Sequence, residues 1–137
     1  HAKDYVEMQW MILQQDKPDD FVIASGKEMT VREFVEKALE VVGISINWKG
    51  AGLNEVAVIT NIRNENVYKI KKNDIIVRIN KKYFRPSEVN YLLGDPTKAH
   101  KLLGWKPSIS ISNLIKEMME NDLMEAKKQK LLKESKI

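Results

Sequence analysis

Met29-Thr30-Val31-Arg32-Glu33-Phe34 opens a run that closes on Gly43-Ile44-Ser45-Ile46-Asn47-Trp48, and the change of period between the two decides the fold class. Thr30 stands three residues before Glu33, the spacing in which a hydroxyl accepts from one orphan helix amide while the acid reaches back to another. Met29 and Phe34 can staple the same turn from its apolar side. This pattern predicts a helix that stops at Gly43, a residue able to take the left-handed conformation of a helix end. Ile44, Ile46 and Trp48 then alternate with Ser45 and Asn47, as a half-buried strand requires, and Lys49-Gly50-Ala51-Gly52 breaks the strand. A helix feeding a strand so directly points to an α/β arrangement of helices and short strands.

The pattern extends in both directions. Upstream, Asp4-Tyr5-Val6-Glu7 has a second capping-box spacing, so a helix starts almost at His1, and Tyr5, Val6, Met8, Trp10, Met11, Ile12 and Leu13 cover more than one narrow stripe of it. Such a helix is expected to lie between other elements, and its position at the first residue reads as a cut inside a larger fold. Phe21-Val22-Ile23-Ala24, between polar turns, reads as a buried strand. Downstream, Val56-Ala57-Val58-Ile59 and Ile75-Ile76-Val77-Arg78-Ile79 form a small β region. Asp95 before Pro96 predicts a helix N-terminus that Gly104 ends. After Pro107, Ser110 caps a last helix with Ile111, Leu114, Ile115, Met118, Met119 and Leu123 on its buried side, and Lys127 to Ile137 is expected to fray.

With 137 residues the chain is sized for one domain, and 43% hydrophobic residues make it too apolar for a disordered segment. The absence of cysteine excludes a disulfide framework, a thiolate metal site and a cysteine nucleophile. No uncharged apolar stretch approaches the roughly 18 residues of a membrane span, and no signal-peptide layout is present, so a cytoplasmic protein without a membrane partner is expected.

Few motifs carry chemistry. Gly50-Ala51-Gly52-Leu53-Asn54-Glu55 imitates a dinucleotide loop, but Glu55 replaces the third glycine and β-prone residues follow where a helix should start, so a turn is expected. His1 and His100 lack a second histidine at ligand spacing, which argues against a metal site. Ser108, Ser110 and Ser112 have no nucleophile elbow around them. Trp10, Trp48 and Trp105 read as core anchors, and Lys127, Lys128, Lys130 and Lys133 as a solvated tail rather than a nucleic-acid surface. Tyr83-Phe84-Arg85-Pro86-Ser87-Glu88-Val89 is the exception. A residue before proline is biased to extended backbone, from which the Arg85 guanidinium can clamp phosphate in two-pronged fashion while Glu88 accepts from paired sugar hydroxyls. From spacing alone, the plainer reading is that Arg85 and Glu88 pair with each other or cap the turn.

Five ordered blocks extend this reading: His1 to Val6, Asp20 to Gly26, Val31 to Val35, Tyr83 to Val89, and Leu93-Gly94-Asp95-Pro96-Thr97-Lys98-Ala99 with Leu103-Gly104-Trp105-Lys106-Pro107. In this order the chain resembles the C-terminal part of the GDP-mannose 4,6-dehydratases, which are extended short-chain dehydrogenases/reductases. The similarity departs most between Asn54 and Asp74 and in the Lys-rich tail. It implies that residues 1–28 are the last helix and strand of an NADP-binding Rossmann domain. Residues 29–137 would then be the C-terminal substrate-binding domain, with the rest of the Rossmann domain missing from this sequence. The implied reaction oxidises C4 of the mannose by hydride transfer to NADP, loses water across C5 and C6 and returns the hydride to C6, a step toward GDP-fucose.

The resemblance also assigns residues. Arg85 is implied to lie near the nucleotide diphosphate and Glu88 near the ribose hydroxyls, with GDP-mannose as the ligand. Asp4 falls at the start of the helix joining the two domains, where capping is expected. The family's glycine-rich loop, catalytic Thr and Glu, and Tyr-x-x-x-Lys pair all precede the position of His1, and Tyr91 and Lys98 do not form that pair. No catalytic or cofactor-binding residue is therefore expected in this chain, and NADP would be held by the missing domain. The intact protein is implied to be a dimer or tetramer. A related nucleotide-sugar epimerase or reductase fragment, or a non-enzymatic basic binding module, are the alternatives.

Overall fold

The computed structural model describes residues 1–63, 69–85 and 92–135. Two units emerge from the packing: residues 1–30 with 89–114, and residues 31–88 with 115–137.

In the first unit, α1 (Ala2–Leu13) begins directly after His1, whose imidazole Nδ1 accepts the Lys3 amide at 3.1 Å. The cap is therefore His1, and Asp4 lies inside the helix. Met8 is buried with Ala99 and Trp105, and Met11, Ile12, Phe21, Ile23 and Leu103 pack around them. Ala99 and Leu103 come from α3 (Thr97–Leu103), which Gly104 ends in the left-handed conformation at φ 68°. The Asp95 carboxylate accepts the Thr97 amide at 2.9 Å and the Thr97 hydroxyl, so it performs the expected capping although the regular helix starts one residue after Pro96.

Two expectations fail, one on the strand and one on the tryptophans. Phe21 to Ala24 is extended but joins no strand ladder among the described residues. Phe21 and Ile23 instead turn into the α1–α3 core, and the backbone passes so close to Gly94 that a Cβ there would meet the Ala24 Cβ at 2.6 Å. α1 is covered on one face: Met8, Met11 and Ile12 face the core, while Tyr5, Val6, Trp10 and Leu13 remain exposed. Finally, Trp105 alone of the three tryptophans is buried. Trp10 is 62% exposed, and the half-buried Trp48 donates its indole N–H to Glu36 at 2.6 Å.

In the second unit, α2 (Val31–Val41) and the antiparallel sheet of β1 (Ile44–Lys49), β2 (Val56–Ile62) and β3 (Ile75–Arg78) enclose Ile44, Ile59 and Ile62. The strands lie in sequence order, β1-β2-β3. α2 starts where the Thr30/Glu33 spacing places it, and Gly43, at φ 75°, makes the turn into β1. The Gly43 carbonyl then accepts the Arg63 amide at 2.8 Å, which ties the far end of β2 to this turn. β1 alternates buried and exposed residues as its sequence predicts. Pairing of β2 shifts register at Ser45/Ile46 on one side and at Ala57/Val58 on the other, so both ladders carry a bulge that re-aims side chains.

The last helix, α4 (Ile111–Glu134), is capped by Ser110, whose hydroxyl accepts the Asn113 amide at 3.2 Å. Of its expected buried face, Ile115 is buried, Leu114, Met119 and Leu123 are half-buried, and Ile111 and Met118 are exposed. The expected fraying at Lys127 does not occur, because helix-favouring Lys, Glu, Gln, Ala and Leu carry the helix on to Glu134. Ion pairs Lys116–Glu120 and Lys130–Glu134, each 3.8 Å long, and Glu125–Lys128 line its surface. No helix among the described residues is long and apolar enough to cross a membrane.

Candidate functional site

β3 ends at Arg78, and the chain then tightens into a 3-10 turn, Lys81–Tyr83. The Asn80 side chain accepts the Lys82 amide at 2.9 Å, and its carbonyl accepts the Tyr83 amide at 3.0 Å, so one asparagine closes the turn twice. Phe84 leaves this turn in an extended conformation, φ −71° and ψ 128°, and leads into Arg85, whose pre-proline position favours the same backbone. Arg85 is exposed, as are Lys81 and Lys82. Tyr83 and Phe84 expose 73% and 51% of their surface, and the Lys82 ammonium sits 5.7 Å from the Tyr83 ring centre. Cations and aromatic faces thus share one short, turn-anchored segment, a composition suited to a phosphorylated ligand with a planar base. Glu88, the other candidate, lies outside the described residues together with Pro86 and Ser87.

The glycine segment behaves as a turn. Gly50 to Glu55 connects β1 to its antiparallel neighbour β2 through a 3-10 turn, Gly52–Asn54. At Gly50, φ is 82° and a Cβ would lie 2.6 Å from the Asn54 carbonyl oxygen, so the glycine is required by the hairpin itself. A strand follows, not the helix N-terminus that would hold a pyrophosphate, so this segment does not fit a dinucleotide cofactor.

Asp4 has a different task from helix capping. It is 1% exposed, and its carboxylate accepts the Ser108 hydroxyl at 2.6 Å and the Ser108 and Ile109 amides at 3.0 and 3.2 Å. Its backbone carbonyl accepts the Trp105 indole N–H at 3.2 Å. The Ser108 hydroxyl, aided by the two amides and opposed by burial, holds the carboxyl below the usual aspartate range. α1 is thereby fastened to the segment leading into α4, and the group is consumed by structure. Sequence reasoning missed this because the partners are 104 residues apart and no local pattern records them.

A second fastening lies on the surface. The Lys98 ammonium donates to the Asp19 carboxylate and, at 2.9 Å, to the Asp20 carbonyl, and it lies 5.0 Å from the Phe21 ring centre. Lys98 thus secures the turn ahead of Phe21 to α3, and its hydrogen bond lowers the Asp19 pKa. His100 stands 6.2 Å from the Trp105 ring, with its Nε2 sheltered and without a hydrogen-bond partner among the described residues. Among the described residues no group of three His, Cys, Asp or Glu could hold a metal ion.

Comparison with known proteins supplies a family. The family model described as GDP-mannose 4,6 dehydratase matches residues 1–118. A GDP-mannose 4,6-dehydratase of Yersinia enterocolitica is 53% identical over 133 residues, which cover 97% of this chain and 36% of that protein. One from Vibrio cholerae is 48% identical over 133 residues, with the same shares covered. The human GDP-mannose 4,6 dehydratase is 45% identical over 123 residues, 90% of this chain and 30% of the relative. The chain therefore spans about a third of the length of the curated relatives it matches.

Proposed function

The chain belongs to the GDP-mannose 4,6-dehydratase family, and on that premise we propose that it is the nucleotide-sugar-binding portion of an enzyme that converts GDP-mannose to GDP-4-keto-6-deoxymannose. The observation that carries the reading is Arg85, exposed on the segment that leaves the 3-10 turn after β3. In this proposal its guanidinium binds the diphosphate, two N–H groups to phosphate oxygens, and Glu88 accepts from the ribose hydroxyls.

NADP and the catalytic residues belong, in the same proposal, to the part of the longer protein outside this chain. The one glycine-rich segment here is a hairpin connection and offers the cofactor no helix N-terminus, so no step is assigned to these residues through it. The stripe of Tyr5, Val6, Trp10 and Leu13 along α1 supports a division of labour, since an apolar face of this kind is suited to packing against further protein.

The test is calorimetry of GDP-mannose binding to the intact enzyme and its Arg85→Ala variant. A charge-assisted hydrogen bond contributes about 1.5–3 kcal/mol, so Kd should rise roughly 10- to 100-fold. Arg85→Lys should recover part of the loss, because it restores charge without the two-pronged geometry. Unchanged affinity in Arg85→Ala would remove Arg85 from the site.

A further inference from the structure

The positive charge of this chain is not spread over it. Residues 69–85 hold seven cations and one anion, a net of +6, so the other 120 residues, with sixteen cations and eighteen anions, sum to −2. Even when Glu65 and Glu88 at the flanks are counted, the segment keeps +4, the whole net charge of the protein. Lys69, Lys71, Lys72, Arg78, Lys81 and Lys82 are all exposed, and Arg85 closes the series. The single anion, Asp74, is half-buried and turned into its own loop, where it accepts the Lys71 amide at 2.9 Å. The segment is built around β3, the last strand of the sheet among the described residues, with exposed cations on the strand and in the turns on either side of it.

Edge strands often carry lysine to prevent edge-to-edge pairing. That role places the charge on the strand, yet here β3 itself carries only Arg78. The remaining cations lie in the turn before β3 and in the 3-10 turn after it. Nor can one diphosphate touch them all: β3 alone sets the Lys71/Lys72 pair about 13 Å from the 3-10 turn, at roughly 3.3 Å per residue. What a row of this kind supplies is a field. The Debye length is about 30 Å at ~0.01 M salt, so cations at the far end of β3 still act on an anion approaching Arg85.

We infer that the β3 edge is an electrostatic collecting surface for the nucleoside diphosphate sugar, raising its association rate through lysines that do not touch the bound ligand. This rests on the proposed nucleotide-sugar site at Arg85 and names the residues that feed it. The ligand's two phosphates carry the charge that is attracted, so the effect is carried by the association step and is screened by salt.

The experiment is stopped-flow binding of a fluorescent GDP analogue to the intact enzyme, at ionic strengths from about 0.01 to 1 M, with Lys71→Glu/Lys72→Glu as the variant. Association should slow about tenfold at low salt, dissociation should be unchanged, and the two proteins should converge at high salt. Lys71→Arg/Lys72→Arg, which keeps the charge, should match the wild type. Equal association rates at low salt would overturn the inference, and so would an effect confined to dissociation, the mark of direct contact. A single-stranded oligonucleotide that binds more tightly than the analogue and displaces it would also overturn it, by making the edge a nucleic-acid surface. Failure of the wild-type enzyme to bind the analogue at all would instead count against the proposed site.

Discussion

Asp4→Asn is the sharpest test of how the first unit is held together. The Asp4 carboxylate accepts three hydrogen bonds, from the Ser108 hydroxyl, the Ser108 amide and the Ile109 amide, at a site sealed from solvent. An asparagine keeps one carbonyl for Ser108 but turns an NH2 group toward the Ile109 amide, donor against donor. Loss of the charge-assisted character of the remaining bonds costs about 1–1.5 kcal/mol, the difference between charged and neutral hydrogen bonds, and a buried amide left unsatisfied costs about 1–3 kcal/mol more. Loss of roughly 3 kcal/mol of stability at neutral pH is the expected result. The measurement is urea unfolding in a Trp10→Phe/Trp48→Phe background, so that Trp105, bonded to the Asp4 carbonyl, reports alone. The pH dependence has a defined sign. The folded carboxyl titrates below 3.8, so its contribution is complete above that value and is lost as pH falls through the folded pKa. Wild type and Asp4→Asn should therefore differ most above about pH 5 and converge in strong acid. A variant within about 0.5 kcal/mol of wild type at pH 7, or a difference that persists undiminished at low pH, would refute the fastening role.

Two further outcomes follow from the fold. Gly50→Ala should destabilise the β1–β2 hairpin by about 1–3 kcal/mol, because it combines a positive φ with a Cβ held 2.6 Å from the Asn54 oxygen. Hydrogen exchange at the β1–β2 ladder amides reads it, and unchanged protection would show that the turn relaxes freely. Removal of residues 127–137 should leave the unfolding midpoint within a degree or two, since every described residue from Met124 onward is exposed and the ion pairs there are surface pairs worth about 0.3–0.5 kcal/mol each. A large drop in the midpoint would mean that the tail packs against something.

The parts of this protein that could be read from the sequence are those whose physics is local. Gly43, the alternation from Ile44 to Trp48, Asp95 beside Thr97, and Ser110 before α4 each act within a few residues and do in the structure what their patterns indicate, and α2 starts where the Thr30/Glu33 spacing places it. Where the pattern misled, a contact distant in sequence decided the outcome. Phe21 to Ala24 has the composition of a strand, but a strand also requires a ladder partner, and this segment spends its apolar residues on the α1–α3 core. Asp4 has the spacing of a cap, but His1 is already there, and burial leaves the carboxylate only the amides and hydroxyl of Ser108 and Ile109 to satisfy it. The tail differs from its expectation for the opposite reason: the intrinsic propensity of its Lys, Glu, Gln and Leu residues keeps it helical to Glu134 without buried contacts.

The candidate site follows the same division. Arg85 stands where the following proline biases the backbone toward the extended form, a constraint one peptide bond long, and it is exposed after the 3-10 turn, while its role toward a ligand is the proposal made above. The charge around it is open to counting but carries no motif, because its cations have no fixed spacing. A motif asks which residues touch a ligand, whereas a field depends on how many like charges lie within a screening length, whatever their spacing. Seven cations within residues 69–85, in a chain otherwise net negative, lie on β3 and in the turns that flank it, and the proposed collecting role rests on their number and not on any one contact.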